Sequence, residues 1–194
     1  ANEKVLLIVG GSQGAQGINE RVLKILPELI SDITVLHITG ERHFQAVRAV
    51  TTELLAQSSR RTAYKVFPYL KDELGRALVV ADTVVSRAGA TMLAELARLK
   101  KVALLIPLPV PPAASDHQMQ NAELFERYGA ARVLESGNVT PALLLQNIRD
   151  LMSDTALRQQ LQDGMAAMDR AGAAAALAQL AFCLAMRVPP TLAA

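Results

Sequence analysis

The sequence predicts an α/β domain: a doubly wound, mostly parallel six-stranded sheet with extra helices at the carboxyl end. Three observations predict it. Short apolar runs alternate with longer helical stretches along most of the chain. Several of those runs, Val5 to Val9 and Val102 to Ile106 among them, are continuously apolar, as strands covered on both faces must be. The first run passes without a break into Gly10-Gly11-Ser12-Gln13-Gly14-Ala15, a glycine-rich turn that opens a helix.

Taken in order, the expected strands are Val5 to Val9, Ile33 to Ile38, Ala63 to Phe67, Thr83 to Ser86, Val102 to Ile106 and Ala131 to Leu134. Helical stretches separate them: Ala15 to Ile30, Glu41 to Ala56, Asp72 to Val80, Ala90 to Leu99 and Asp116 to Tyr128. After the last strand, Thr140 supplies an N-cap and Pro141 the first helical position of a helix to Met152, and Ser153-Asp154 starts the next. The final helix, about Ala171 to Met186, is alanine-rich and apolar nearly all round. It contains Gln179 and falls short of the ~20 residues that span a bilayer, so it reads as a packing helix.

Composition narrows the function classes. The 194 residues, 51% hydrophobic and 20% charged, suffice for one globular domain with a full core. A net charge of +2, with no basic stripe interleaved with aromatics, gives no reason to expect nucleic acid. Arg60-Arg61 reads as a solvated pair. A single cysteine, Cys183, excludes an intramolecular disulfide and suits a reducing, cytoplasmic setting. His37, His43 and His117 are not grouped at ligand spacings, so no metal is expected. Ala1-Asn2-Glu3-Lys4 leads directly into a strand, and no signal peptide is expected.

Doubly wound sheets bind ligands beyond the carboxyl ends of their strands, so the segments after the strands carry the chemistry. Gly10 to Gly14 is an anion cradle: glycines let main-chain N–H groups approach an oxyanion, and the helix that follows points its positive end at the same place. Its spacing is neither the dinucleotide fingerprint nor a P-loop, and a purely structural βα turn is the alternative. Ser86-Arg87-Ala88-Gly89-Ala90-Thr91 is a second small-residue turn before a helix whose only early charge is Glu95. Glu95 lies about 7 to 8 Å along that helix from Ala90, near the step from a phosphate to a ribose, and a carboxylate can accept from two vicinal hydroxyls. The alternative is a surface pair with Arg98.

The third segment is the proline-rich stretch Pro107 to Ser115, followed by Asp116-His117-Gln118-Met119-Gln120-Asn121. His117, Gln118 and Asn121 share a helical face, and amides that both donate and accept suit sugar hydroxyls. Gln118 could instead complete a capping box with Ser115. His117 has no orienting carboxylate on its own face, which leaves it without the partner a catalytic base needs. The fourth segment, Phe67 to Asp72, is a short loop whose backbone could read the edge of a flat base.

Together, in this order, these segments resemble the carboxyl-terminal, donor-binding half of the MurG family of glycosyltransferases. Those cytoplasmic enzymes move N-acetylglucosamine from UDP-N-acetylglucosamine onto a lipid-linked muramyl-pentapeptide, lipid I, to make lipid II for peptidoglycan. The resemblance spans nearly the whole chain. It implies one Rossmann-like half of a two-domain GT-B fold, residues 1–194 forming a single UDP-sugar-binding domain with the acceptor-binding amino-terminal domain not included. It implies a substrate-binding set of Gly11, Ser12, Gln13, Gly14 and Asn19 from the first loop and Arg87, Gly89, Ala90 and Thr91 from the second. Glu95 would hold the ribose hydroxyls, the backbone near Leu70 and Lys71 would read the uracil, and His117, Gln118 and Asn121 would lie at the hexose.

The same resemblance implies an inverting transfer whose base comes from the other domain, with no catalytic residue in this chain, no metal and no cofactor beyond the donor substrate. The partners are UDP-N-acetylglucosamine and the lipid-linked acceptor, at the cytoplasmic face of the inner membrane, with no nucleic acid and no transmembrane segment. The chain alone is expected to be inactive. Two departures from the family pattern are Gln16, where many relatives carry arginine, and Met92, where they carry threonine. Rival readings are a domain of a UDP-N-acetylglucosamine 2-epimerase and a non-catalytic donor-binding subunit of a split transferase.

Overall fold

The computed structural model describes residues 3–11, 14–108 and 117–186. Six strands form one sheet in the order β3-β2-β1-β4-β5-β6. They are β1 (Val5–Val9), β2 (Thr34–Ile38), β3 (Tyr64–Phe67), β4 (Thr83–Ser86), β5 (Val102–Leu105) and β6 (Arg132–Val133), each within a residue of its expected bounds. Every neighbouring pair is parallel. The helices are α1 (Gln16–Leu29), α2 (Glu41–Leu54), α3 (Leu74–Val80), α4 (Ala90–Arg98), α5 (His117–Arg127), α6 (Pro141–Ser153), α7 (Thr155–Met168) and α8 (Ala173–Met186).

The continuous apolar strands are explained by two cores. In β1, Leu6 and Ile8 enter a cluster with Val22, Leu26, Leu144 and Ile148, which lie on α1 and α6. Leu7 and Val9 point the other way, into a cluster with Leu78, Leu93, Leu96, Phe125 and Met165 from α3, α4, α5 and α7. With both faces covered, Leu6, Leu7 and Ile8 lose all contact with water. Burial of each such side chain contributes roughly 1.5–3 kcal/mol, and this fixes the register against slippage by one residue.

The expected caps form at the carboxyl end. Thr140 Oγ1 accepts from the Leu143 N–H at 3.1 Å with Pro141 in the first turn, and Asp154 Oδ1 accepts from the Leu157 N–H at 2.9 Å. The last helix corrects an expectation. Rather than packing against the domain, α8 is exposed along its length except at Cys183, and Leu177, Phe182 and Leu184 stand in water. Its apolar residues are spread round the helix and leave no single face to dock. Among the described residues no helix is long and apolar enough to cross a membrane.

Candidate functional site

The chain winds outward from β1 through β2 to β3, then returns to place β4 on the other side of β1 and continues through β5 to β6. Strand order therefore reverses between β1 and β4, and the loops that follow them diverge to leave a crevice, the place where doubly wound sheets hold ligands. Two adjoining lobes open there, one of about 400 Å³ and one of about 270 Å³. Val9, Gly11, Gly89 and Met92 line both.

Each wall is a glycine turn feeding a helix. Gly11 and Gly14 take φ of +81° and +77°, and a Cβ on Gly14 would lie 2.4 Å from the Thr39 carbonyl oxygen. Both positions thus require glycine, and at Gly14 the reason is also close packing. The N–H of Gly10 donates to the Ile38 carbonyl at 3.2 Å and that of Gly14 to the Gly11 carbonyl at 3.0 Å, so the turn is tied to the end of β2. Across the crevice, Gly89 precedes α4.

The helix ends differ in a telling way. Where α6 and α7 begin, a side chain caps the free N–H groups; α1, α2, α3 and α4 have no side-chain cap at the N-cap residue, and of these α1 and α4 open on the crevice, with no acidic residue in the first turn. Among the described residues, two positive helix ends without an N-cap side chain thus converge on one crevice. Such an arrangement suits an anion with two charged groups.

Arg87 adds a full positive charge. One nitrogen, Nη1, donates to the carbonyls of Ile106 at 2.9 Å and Pro107 at 2.8 Å and to Ser136 Oγ at 3.0 Å, while the buried Nε has no partner among the described residues. Burial, and next the neighbouring Arg21 guanidinium, hold its pKa below the usual value. Arg21 itself donates to the Gly17 carbonyl at 2.6 Å and the Ser136 carbonyl at 3.1 Å. Neither arginine makes a salt bridge among the described residues.

The larger lobe is bounded by Tyr69, Leu70 and Leu74 on one side and Ala90, Thr91 and Glu95 on the other. Glu95 is partly buried, and its carboxylate has no hydrogen-bond or ion-pair partner among the described residues. The surface pair with Arg98 does not form, because Arg98 bonds Asp169 at 3.1 Å instead. An apolar slot with one free acceptor at its edge suits a flat ring joined to a diol.

Other expected site residues are placed as follows. Gly14, Arg87 and Gln118 line the smaller lobe. Gln118 Oε1 accepts from the Leu108 N–H at 3.0 Å, pinning the exit of β5 to the start of α5. Asn121 Nδ2 donates to the Ala88 carbonyl at 3.1 Å, bracing the second turn from behind, and its side chain lies on the groove between α4, α5 and α7. Asn19 does not reach the crevice: it is 3% exposed, with Nδ2 on the Thr39 carbonyl and Oδ1 on His37. Lys71 and His117 are exposed and line neither lobe. Ser12, Gln13, and the Ser115 and Asp116 of the expected capping box lie outside the described residues.

Ile38, Leu74, Leu108 and Ser136 were not singled out by sequence reasoning, although the first three line the lobes and the last holds Arg87. Only Ser136, a small polar residue just after a strand, carried a signal that could have marked it. No group of three or more metal-ligating side chains occurs among the described residues.

Comparison with known proteins bears on this geometry. A transferase of Natranaerobius thermophilus named UDP-N-acetylglucosamine–N-acetylmuramyl-(pentapeptide) pyrophosphoryl-undecaprenol N-acetylglucosamine transferase is 39% identical over 153 residues, 78% of this chain and 41% of the relative. One of the same name from Sorangium cellulosum is 40% identical over 177 residues, 89% of this chain and 42% of the relative. The chain thus spans about two-fifths of the length of these curated relatives. The crystal structure of Acinetobacter baumannii MurG superposes with a TM-score of 0.77 at 29% identity, covering 92% of this chain and 52% of that one. A Listeria monocytogenes putative UDP-N-acetylglucosamine 2-epimerase superposes with a TM-score of 0.66 over 97% of this chain and 47% of that one; at 13% identity the likeness is one of fold alone. The pattern of the glycosyltransferase family 28 C-terminal domain matches residues 5–179, every strand and the first seven helices included, and the chain belongs to that family.

Proposed function

We propose that this chain is the donor-binding half of an inverting glycosyltransferase that moves N-acetylglucosamine from UDP-N-acetylglucosamine to lipid I, forming lipid II for peptidoglycan at the cytoplasmic face of the membrane. The observation that carries the reading is the crevice at the β1/β4 reversal, where two uncapped helix ends meet a free Glu95 carboxylate. The names of the relatives support the choice of sugar nucleotide and acceptor. Uracil lies in the Leu70 slot, the ribose hydroxyls donate to Glu95, and the diphosphate rests between Gly11 and Gly89. Gln118 stands where the hexose emerges.

An acceptor hydroxyl, deprotonated by a base outside these 194 residues, attacks the anomeric carbon. The bond to the diphosphate oxygen breaks, and UDP departs with its new charge stabilised by loop N–H groups, the helix dipoles and Arg87.

Isothermal titration is expected to show UDP and UDP-N-acetylglucosamine binding to the isolated chain; absence of binding at millimolar nucleotide, on folded protein, overturns the reading. Glu95→Gln is expected to keep the fold and lose about 1.5–3 kcal/mol of UDP affinity, the loss typical of a charged hydrogen bond. Wild type then prefers UDP over its 2′,3′-dideoxy analogue and the variant does not. An unchanged preference removes Glu95 from the ribose.

The two amides separate by the same measurement. With its donor end held by Ala88, Asn121→Ala is expected to weaken UDP and UDP-N-acetylglucosamine together, by about 1 kcal/mol for a hydrogen bond lost from the second turn. Gln118→Ala is expected to weaken the sugar nucleotide more than UDP. Equal losses for Gln118→Ala would make it a brace for Leu108 alone.

A further inference from the structure

A row of buried polar groups crosses the sheet beneath the first glycine turn. Tyr64 on β3, His37 on β2 and Asn19 in the second turn of α1 are 8%, 0% and 3% exposed. Tyr64 Oη lies 2.9 Å from His37 Nδ1, His37 Nε2 lies 3.0 Å from Asn19 Oδ1, and Asn19 Nδ2 donates to the Thr39 carbonyl at 3.1 Å. The hydrogen-bond directions follow from the last contact. A carbonyl can only accept, so Asn19 presents its N–H₂ to Thr39 and its oxygen to His37. His37 must then carry its proton on Nε2, and its Nδ1 accepts from the Tyr64 hydroxyl.

The row ends on the atom against which the glycine turn is packed. The Thr39 carbonyl oxygen is gripped by Asn19 from one side, and Gly14 lies so near on the other that a Cβ there would stand 2.4 Å away. The turn is held at its start by the Gly10 bond to Ile38, one residue before Thr39. Ala15, at the N-cap of α1, makes no side-chain cap hydrogen bond among the described residues. Asn19, one turn further on, ties the helix to the end of β2.

We propose that Asn19 is a positioning residue for the diphosphate: held by His37 and Tyr64, it fixes the first turn of α1, and with it the Gly14 backbone packed on Thr39, in the orientation that points the positive end of the helix at the ligand. This rests on the donor-site reading above for the identity of the anion. It makes Asn19 a residue that never touches substrate yet sets the affinity for its charged part.

The test uses Asn19→Ala and the milder Tyr64→Phe, which removes one hydroxyl at the far end of the row, in the whole chain. Amide hydrogen exchange in the free protein is expected to speed at residues 10–15 in both variants and to stay unchanged at residues 86–89. Titration is expected to show UDP affinity falling about tenfold in Asn19→Ala and two- to threefold in Tyr64→Phe, with uridine affinity within twofold of wild type. A residue that merely supports the core would speed exchange at both loops and weaken both ligands alike, and that outcome overturns the proposal, as does unchanged exchange at residues 10–15. Failure of the wild-type chain to bind UDP sinks the donor-site reading instead, and the exchange comparison still decides whether Asn19 positions the loop.

Discussion

Acid is expected to unfold this domain early, and His37 to be the main cause. Complete burial holds its pKa down to about 3, against 6.5 in the ordinary case. Both ring nitrogens are already engaged, Nδ1 as an acceptor, so a second proton would break the bond from Tyr64 and leave a charge in the sheet. Above pH 6.5 neither the folded nor the unfolded chain binds that proton. Between pH 6.5 and 3 the unfolded chain binds it and the folded chain does not, so stability declines as pH falls through this window. The slope from this one group is about 1.4 kcal/mol per pH unit, at most about 5 kcal/mol over the window, comparable with the whole stability of many domains. Urea midpoints at pH 7, 5.5 and 4.5 check it: His37→Gln should lose this share of the slope, and equal slopes in the two proteins would acquit the histidine.

Gly14→Ala is expected to be the most damaging methyl group that can be added to the crevice. A φ of +77° costs a non-glycine residue about 1–3 kcal/mol, and the new Cβ would press on the Thr39 carbonyl at 2.4 Å and His43 Cδ2 at 2.6 Å. Relief requires the loop to leave β2, which adds the about 1–3 kcal/mol typical of overpacking. Gly11→Ala is the control. It has nearly the same φ, +81°, but no described residue within 4 Å of the added carbon, so it should cost only the backbone share. Chemical denaturation of both variants distinguishes the two costs; a Gly14→Ala protein no less stable than Gly11→Ala would mean that the loop is free to lift off Thr39.

The strands are legible in the sequence because both faces of the sheet are covered: with Leu6 and Ile8 in one core and Leu7 and Val9 in the other, the apolar run cannot be mistaken for an amphipathic helix. The glycine turns are legible as an anion site for a similar reason, since Gly11 and Gly14 do adopt backbone that other residues avoid. Side-chain direction is another matter. Helical spacing puts Asn121 on the face of Gln118, yet the carbonyl that accepts its hydrogen bond belongs to Ala88, on a different βα unit. Arg98 stands three residues from Glu95 but finds Asp169 at the end of α7, a neighbour created only by packing. Asn19, on the expected helix and given to the binding set by resemblance, proves to be buried against the sheet, because whether the second turn of a helix faces ligand or sheet depends on how the helix rolls against strands it has not yet met. The exposure of α8 is not legible, because an apolar composition says that a helix has surface to bury and not which surface receives it.

The reversal of strand order between β1 and β4 also sets when the crevice can exist. One wall is complete once β1, α1 and the end of β2 have been made, but the other follows β4, and α2, β3 and α3 still intervene in the chain. Closing so long a loop is slow relative to local helix formation, and the reward arrives only when β4 docks beside β1. During synthesis the first glycine turn therefore emerges and waits as half a receptor. A ligand that needs both walls engages only after this docking, so it should leave the folding rate nearly untouched and act by slowing the opening of the finished domain.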